Sequence, residues 1–242
     1  MRTPLILPVL VVGLSIGAGC GGGGSGKPDG PAPGDAPGGA IDAPPASSNF
    51  SFFITSTGNP SGGDFRRSAA DTDGLAGADA FCQMKAAAAV PASAGRHWRA
   101  YLSTSTVDAK DRIGAGPWFN RSGTMIAASV AALHTPAMNL INKANGVDET
   151  GASIPGRGDT PNQHDIVTGS TAAGVSSGST CNNWTSSAAS GVTATVGHFD
   201  RMGVAGNIDP MSFVEAHASQ GCSADAFVPT GGRGSIYCFA AD

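Results

Sequence analysis

Five cysteines, at positions 20, 82, 181, 222 and 238, constrain this chain more than any other feature. The last four are scattered through residues 49–242 with no C-x-x-C pair among them, which reads as disulfides in an exported chain rather than as a zinc site. Four cysteines allow three pairings, and spacing alone does not choose among them. Crosslinks matter because this segment is rich in loop formers. It holds 24 of the 36 glycines, and residues 134–235 are mostly Gly, Ser, Thr, Asn and Ala with isolated β-prone fragments. Loops of that extent in a compact domain are functional or held by staples.

The first cysteine belongs to a different context. Arg2 precedes an apolar run over residues 5–16 that is too short to span a bilayer and has the layout of a secretory leader. Gly17-Ala18-Gly19-Cys20 then resembles the lipobox of bacterial lipoproteins. The resemblance implies that residues 1–19 are a signal peptide, that Cys20 is acylated, and that the chain is exported and attached to a membrane through its lipid. Gly21 after the cysteine points to the outer membrane. In residues 21–48, 15 of 28 positions are Gly or Pro and little is apolar, so residues 20–48 are expected to form a disordered tether. The G-x-x-x-x-G-K match at residues 21–27 continues into Pro28 where a P-loop needs Ser or Thr, and carries no weight. Residues 49–242 remain as one domain. The formal net charge of −4 lacks the basic surplus that phosphate backbones require, so nucleic acid is not an expected partner.

Within the domain, Phe52-Phe53-Ile54-Thr55 reads as a strand closed by Gly58-Asn59-Pro60. Residues 75–90 are Ala-rich and end at Pro91; Ala78, Phe81, Cys82 and Met84 or Lys85 recur at helical spacing, so an amphipathic helix with Cys82 on its buried face is expected. Trp98 to Ser103 alternates as a strand, residues 126–133 suggest a second helix, and residues 236–239 a terminal strand. Residues 166–168 and 192–196 are shorter β-prone fragments.

The cysteine-bearing helix, the run Trp98-Arg99-Ala100-Tyr101-Leu102-Ser103, Cys181-Asn182-Asn183-Trp184, Gly221-Cys222 and Ile236-Tyr237-Cys238-Phe239 together resemble the C-type-lectin-like fold. The similarity is greatest to its endostatin branch and to bacterial secreted lipoproteins carrying the same domain, and it covers essentially residues 52–242. It implies an α+β domain with two short helices, small antiparallel sheets, long loops and two disulfides. The outer bridge would join Cys82 to Cys238 and the inner one Cys181 to Cys222. Trp98 and Trp184 are expected to fill the core.

Many C-type lectins bind sugar through calcium, held by carboxylate and amide oxygens. Here residues 170–180 contain neither carboxylate nor proline, so that site does not carry over. Asp71-Thr72-Asp73-Gly74 lacks the Glu that an EF-hand loop places at its twelfth position, where Cys82 stands. The histidines, His97, His134, His164, His198 and His217, form no close ligand pair, so no metal and no cofactor is expected. The densest polar loop offers Arg157, Asp159, Asn162, His164 and Asp165 as ligand-binding candidates. No nucleophile–base arrangement is legible, so catalysis is not expected. These readings converge on a lipid-anchored envelope module that recognises a glycan or protein without calcium. A hydrolase using a loop histidine and a purely structural surface lipoprotein are the alternatives. Metabolic labelling with a palmitate analogue should tag the full chain and lose the tag in Cys20→Ala; an untagged parent rules out the anchor.

Overall fold

The computed structural model describes residues 49–242; the leader, Cys20 and the tether lie outside the described residues. Strand β1 (Phe52–Ile54) is followed by helix α1 (Leu75–Ala89) and by β2 (Trp98–Ala100). Next come β3 (Trp118–Phe119), β4 (Met125–Ala127), the short helix α2 (Val130–Leu133) and β5 (Asp165–Val167). Strands β6 (Thr195–His198), β7 (His217–Ala218) and β8 (Gly232–Ala240) complete the chain. This is a mixed α+β domain with few helices, small sheets and two disulfides.

The final strand organises the rest. One edge of β8 pairs antiparallel with β1, placing Phe53 opposite Cys238. The other edge is shared: β2 pairs antiparallel with residues 238–240, and β5 pairs parallel with the stretch around Gly232 and Ile236. Strands β6 and β7 continue the sheet outward from β5, both antiparallel to their neighbours. The parallel β5–β8 pairing departs from the expected antiparallel sheets; a parallel pair needs a long crossover, and residues 168–231 supply it. A separate two-stranded sheet pairs β3 with β4.

Apolar residues pack on both sides of β8. Phe50, Phe53, Trp98, Cys82, Trp184 and Ile236 belong to one core cluster, while Phe52, Tyr101, Trp118, Ile166, Phe199, Tyr237 and Phe239 belong to the other. Alternation along β8 sends Ile236 and Cys238 to the first cluster and Tyr237 and Phe239 to the second. All three tryptophans are buried. Helix α1 buries Leu75, Ala78, Cys82 and Ala86 as its period requires, leaving Met84 exposed. It also buries Asp79, whose carboxylate accepts from the Ala100 amide at 2.9 Å and pairs with Arg99 at 2.6 Å and Arg112 at 2.9 Å. A buried charge with three donors fixes the helix to β2. Asp73 Oδ1 accepts from the Leu75 amide at 2.9 Å, and Asp71 accepts from the Arg67 amide at 2.8 Å, so both acids brace the approach to α1.

Cys82 is bonded to Cys238 and Cys181 to Cys222, with Cα separations of 5.6 and 5.7 Å. They close loops of 156 and 41 residues, worth about 4–5 kcal/mol each in the chain-entropy account. Residues Cys181, Asn182, Asn183 and Trp184 all take left-handed φ angles between 49° and 62°. Four such non-glycine residues cost about 1–2 kcal/mol each. They are held by the disulfide, by Trp184 Nε1 donating to Ser103 O at 2.7 Å, and by Asn183 Oδ1 accepting from the Ser105 amide at 2.8 Å. The helix expected over 126–133 is in fact two elements: residues 125–127 pair as β4, and Ser129 caps α2 by accepting from the Ala132 amide at 3.2 Å. Asp79→Ala should lower stability by about 2 kcal/mol, because Arg112 and the Ala100 amide lose their buried acceptor; a urea midpoint equal to the parent's contradicts that role.

Candidate metal centre

Three adjacent strands assemble the site. Asp165 opens β5 and lies directly opposite His198, the last residue of β6. His217 opens β7 opposite Val196, two residues before His198. Facing side chains recur every second residue and cross-strand Cβ atoms sit about 4.5–5.5 Å apart, so this register turns Asp165, His198 and His217 to one face. His164 lies one residue ahead of β5, where its carbonyl accepts from the Phe199 amide at 3.2 Å. Its ring stacks on that of His198, with centroids 4.2 Å apart and planes 9° from parallel.

The three imidazoles converge on one oxygen. Asp165 Oδ1 lies 3.2 Å from His164 Nε2, 3.3 Å from His198 Nε2 and 3.5 Å from His217 Nε2. The donor atoms of His164, Asp165 and His198 all lie within 4.8 Å of one another, a grouping found nowhere else among the described residues. Asp165 is 1% exposed, and His164 and His198 are buried as well, whereas the His217 side chain keeps a fifth of its surface. Neither oxygen of Asp165 nor His198 Nε2 has a hydrogen bond of acceptable geometry. A buried carboxylate without donors is costly unless a cation offsets it.

The outward nitrogens explain why a cation fits. His164 Nδ1 lies 3.2 Å from Asp200 Oδ1, His198 Nδ1 lies 3.0 Å from Pro210 O, and His217 Nδ1 lies 3.0 Å from Ala218 O. Carbonyls and carboxylates only accept, so each Nδ1 carries the hydrogen and donates it. An Nε2 that gives up its hydrogen can then present its lone pair to a cation beside the Asp165 oxygen. Metal-ligating histidines are oriented in this way, by a carboxylate or carbonyl on the other ring nitrogen. A tetrahedral zinc site with bonds of about 2.0–2.1 Å has edges of about 3.3–3.4 Å, close to the 3.2 and 3.3 Å from Asp165 Oδ1 to His164 Nε2 and His198 Nε2. The donor set of imidazole nitrogens and one carboxylate suits zinc and its transition-metal neighbours rather than calcium, which takes six to eight oxygens.

In the absence of a cation, Asp165 and His217 favour each other's charged forms. Burial pushes the Asp165 carboxyl up, but His198 and His217 outweigh it and hold the group below the usual carboxylate range. Interaction with Asp165 raises the His217 imidazole above its ordinary value. Burial likewise pushes Asp200 up, and His164 with the Arg157 and Met202 amides reverses the shift. A cavity of about 270 Å³ opens over the imidazoles, walled also by Arg157, Asn162, Asn207 and Thr230. Backbone packs closely around it. A Cβ at Gly231, where φ is +107°, would lie 2.6 Å from Asn162 Nδ2 and 3.1 Å from the His164 ring.

Of the residues expected to bind ligand, Arg157, Asn162 and His164 line this cavity, with Asp165 at the convergence of the imidazoles. Asp159 instead pairs with Lys143 at 2.8 Å and accepts from the Gly156 amide at 2.8 Å, bracing its own loop. The expectation that the histidines form no metal site is revised, because strand register brings together residues up to 53 positions apart. In the sequence His198 is legible only as one of the loop histidines a hydrolase could use, and nothing local marks His217 or Asp200; a histidine at the end of a β-prone fragment lacks meaning until its neighbour is known. His134 belongs elsewhere, with Nε2 2.6 Å from Tyr101 Oη, and His97 lies near the C-terminal end of the chain, donating its amide to Asp242. Comparisons with protein-family models and with curated proteins found no match to this chain. Gly231→Ala should destabilise the domain by about 1–3 kcal/mol through its left-handed backbone and the clash with Asn162 and His164; thermal unfolding identical to the parent's argues against this close packing.

Proposed function

We propose that this chain is an exported, lipid-anchored module of the cell envelope whose C-type-lectin-like domain recognises its ligand through a zinc-class metal ion. His164 and His198 would each supply a nitrogen and Asp165 an oxygen, with His217 held against the same carboxylate oxygen. The observation that carries the reading is the meeting of three Nε2 atoms on one buried, unpartnered carboxylate oxygen. Stability has a cheaper solution, since apolar residues at these positions would avoid the desolvation of four polar groups. The centre also faces a cavity rather than sealed core.

One feature favours binding over hydrolysis. Among the described residues lining the cavity none is a carboxylate that could activate a water, and two of the histidines there are the proposed ligands. The lectin-like assignment rests on the motif order and on the disulfide pairs, one tying the long helix to the last strand and the other closing the 181–222 loop. The envelope location rests on the lipobox-like segment and the tether.

Titration calorimetry of the full chain, stripped with chelator and kept oxidised, should show saturable uptake of about one zinc per chain, while calcium gives no comparable isotherm. Asp200→Asn should weaken zinc about 10–100-fold by loosening His164. His198→Ala should weaken it further, with circular dichroism confirming the fold. Failure of the parent to take up zinc, or equal uptake by His198→Ala, overturns the reading.

A further inference from the structure

Resting on that metal reading, we propose that the cavity holds its ligand by an oxyanion, a carboxylate or a phosphate group, bridging the metal and the guanidinium of Arg157. Arg157 is half-buried in the cavity wall and makes neither an ion pair nor a side-chain hydrogen bond. Its backbone is nevertheless fixed: the Arg157 amide donates to Asp200 Oδ2 at 2.6 Å, and Asp200 Oδ1 receives His164 Nδ1. One carboxylate thus registers the guanidinium's attachment point against a metal ligand. Several other basic side chains are engaged, Arg99 and Arg112 on Asp79 and Lys143 on Asp159.

The neutral lining residues also present donors. Asn162 Oδ1 accepts from the His164 amide at 3.3 Å, which leaves its Nδ2 hydrogens for the cavity. Asn207 Oδ1 accepts from the Val204 amide at 3.0 Å, with the same result. Backbone N–H groups can only donate, so these contacts fix which end of each amide is turned away. Nearby acids are committed. Asp200 serves His164 and the Arg157 and Met202 amides, and Asp209 receives the Met211 amide at 3.0 Å.

A divalent ion offset by Asp165 and Asp200, with Arg157 added, leaves the cavity with a positive charge in a chain whose formal net charge is −4. The metal, a guanidinium and two amide NH₂ groups are all complementary to acceptor oxygens. A planar guanidinium binds carboxylate or phosphate oxygens in pairs, and three protein donors leave zinc a fourth position to admit one of them. At about 270 Å³ the cavity suits a small group such as inorganic phosphate or an acidic monosaccharide residue.

The test uses the full chain loaded with zinc, with metal content measured in each sample, and calorimetric titration of phosphate, glucuronate and glucose. We expect saturable binding of phosphate or glucuronate at one per zinc, none of glucose, and at least a tenfold loss in Arg157→Gln and in the chelator-stripped chain. Binding of phosphate alone identifies a free or esterified phosphate as the source, and binding of glucuronate alone an acidic glycan; either supports the bridge. A chain that takes up zinc but binds neither anion, or an Arg157→Gln protein that binds as the parent does, overturns the bridge and leaves the metal reading standing. A chain that takes up no zinc overturns both.

Discussion

The bond between Cys82 and Cys238 joins the only long helix among the described residues to the last strand, on which β1, β2 and β5 all pair. Strand β8 carries β1 on one edge and shares the other between β2 and β5, so its position decides where β5 begins. Asp165 is the first residue of β5 and sits opposite both Gly232 of β8 and His198 of β6. A Cβ at Gly232 would come within 3.0 Å of the Asp165 Cβ, so the absence of a side chain there lets the two strands close beside the carboxylate. The chain of dependence therefore runs from the helix, through the disulfide and β8, to the placement of a single buried acid.

Around that acid the protein gathers groups that are unfavourable together in the absence of positive charge. Three Nε2 atoms meet one carboxylate oxygen, with His164, Asp165 and His198 buried. Low-dielectric surroundings enlarge both the repulsion and the benefit of a cation that relieves it. The outer contacts, from Asp200 and from two backbone carbonyls, keep the rings in one tautomer and leave little rotational freedom. The loop-rich composition serves this arrangement, because residues 199–216 and 219–231 reach the site outside the named strands, and the Cys181–Cys222 bond limits their excursion.

Much of the scaffold was legible from local pattern. The 3.6-residue spacing of Ala78, Cys82 and Ala86 identifies α1, and the alternation around Trp98 identifies β2, because burial of one face imposes those periods on any sequence that folds. Asp79 breaks the pattern: it shares the buried face, and only its partners from β2 and from Arg112 make that tolerable. The fragment 126–133 was misread because a three-residue strand and a one-turn helix, joined through the Ser129 cap, together imitate a continuous helix. Half of the candidate cluster, His164 and Asp165, stands out in the sequence as part of a dense polar loop; the other half does not, because His198 and His217 stand in short β segments of otherwise ordinary composition.

By itself the sequence determined that residues 49–242 carry a crosslinkable, loop-rich domain with a cysteine-bearing helix and an apolar last strand, since these follow from composition, period and cysteine parity. Tertiary structure alone decided which polar groups meet. The spacing from 165 to 198 to 217 has no local meaning, and it becomes a ligand set only when the β5–β6 and β6–β7 registers set those residues on one face. A shift of one residue in either register would send a histidine to the opposite side of the sheet and dissolve the site.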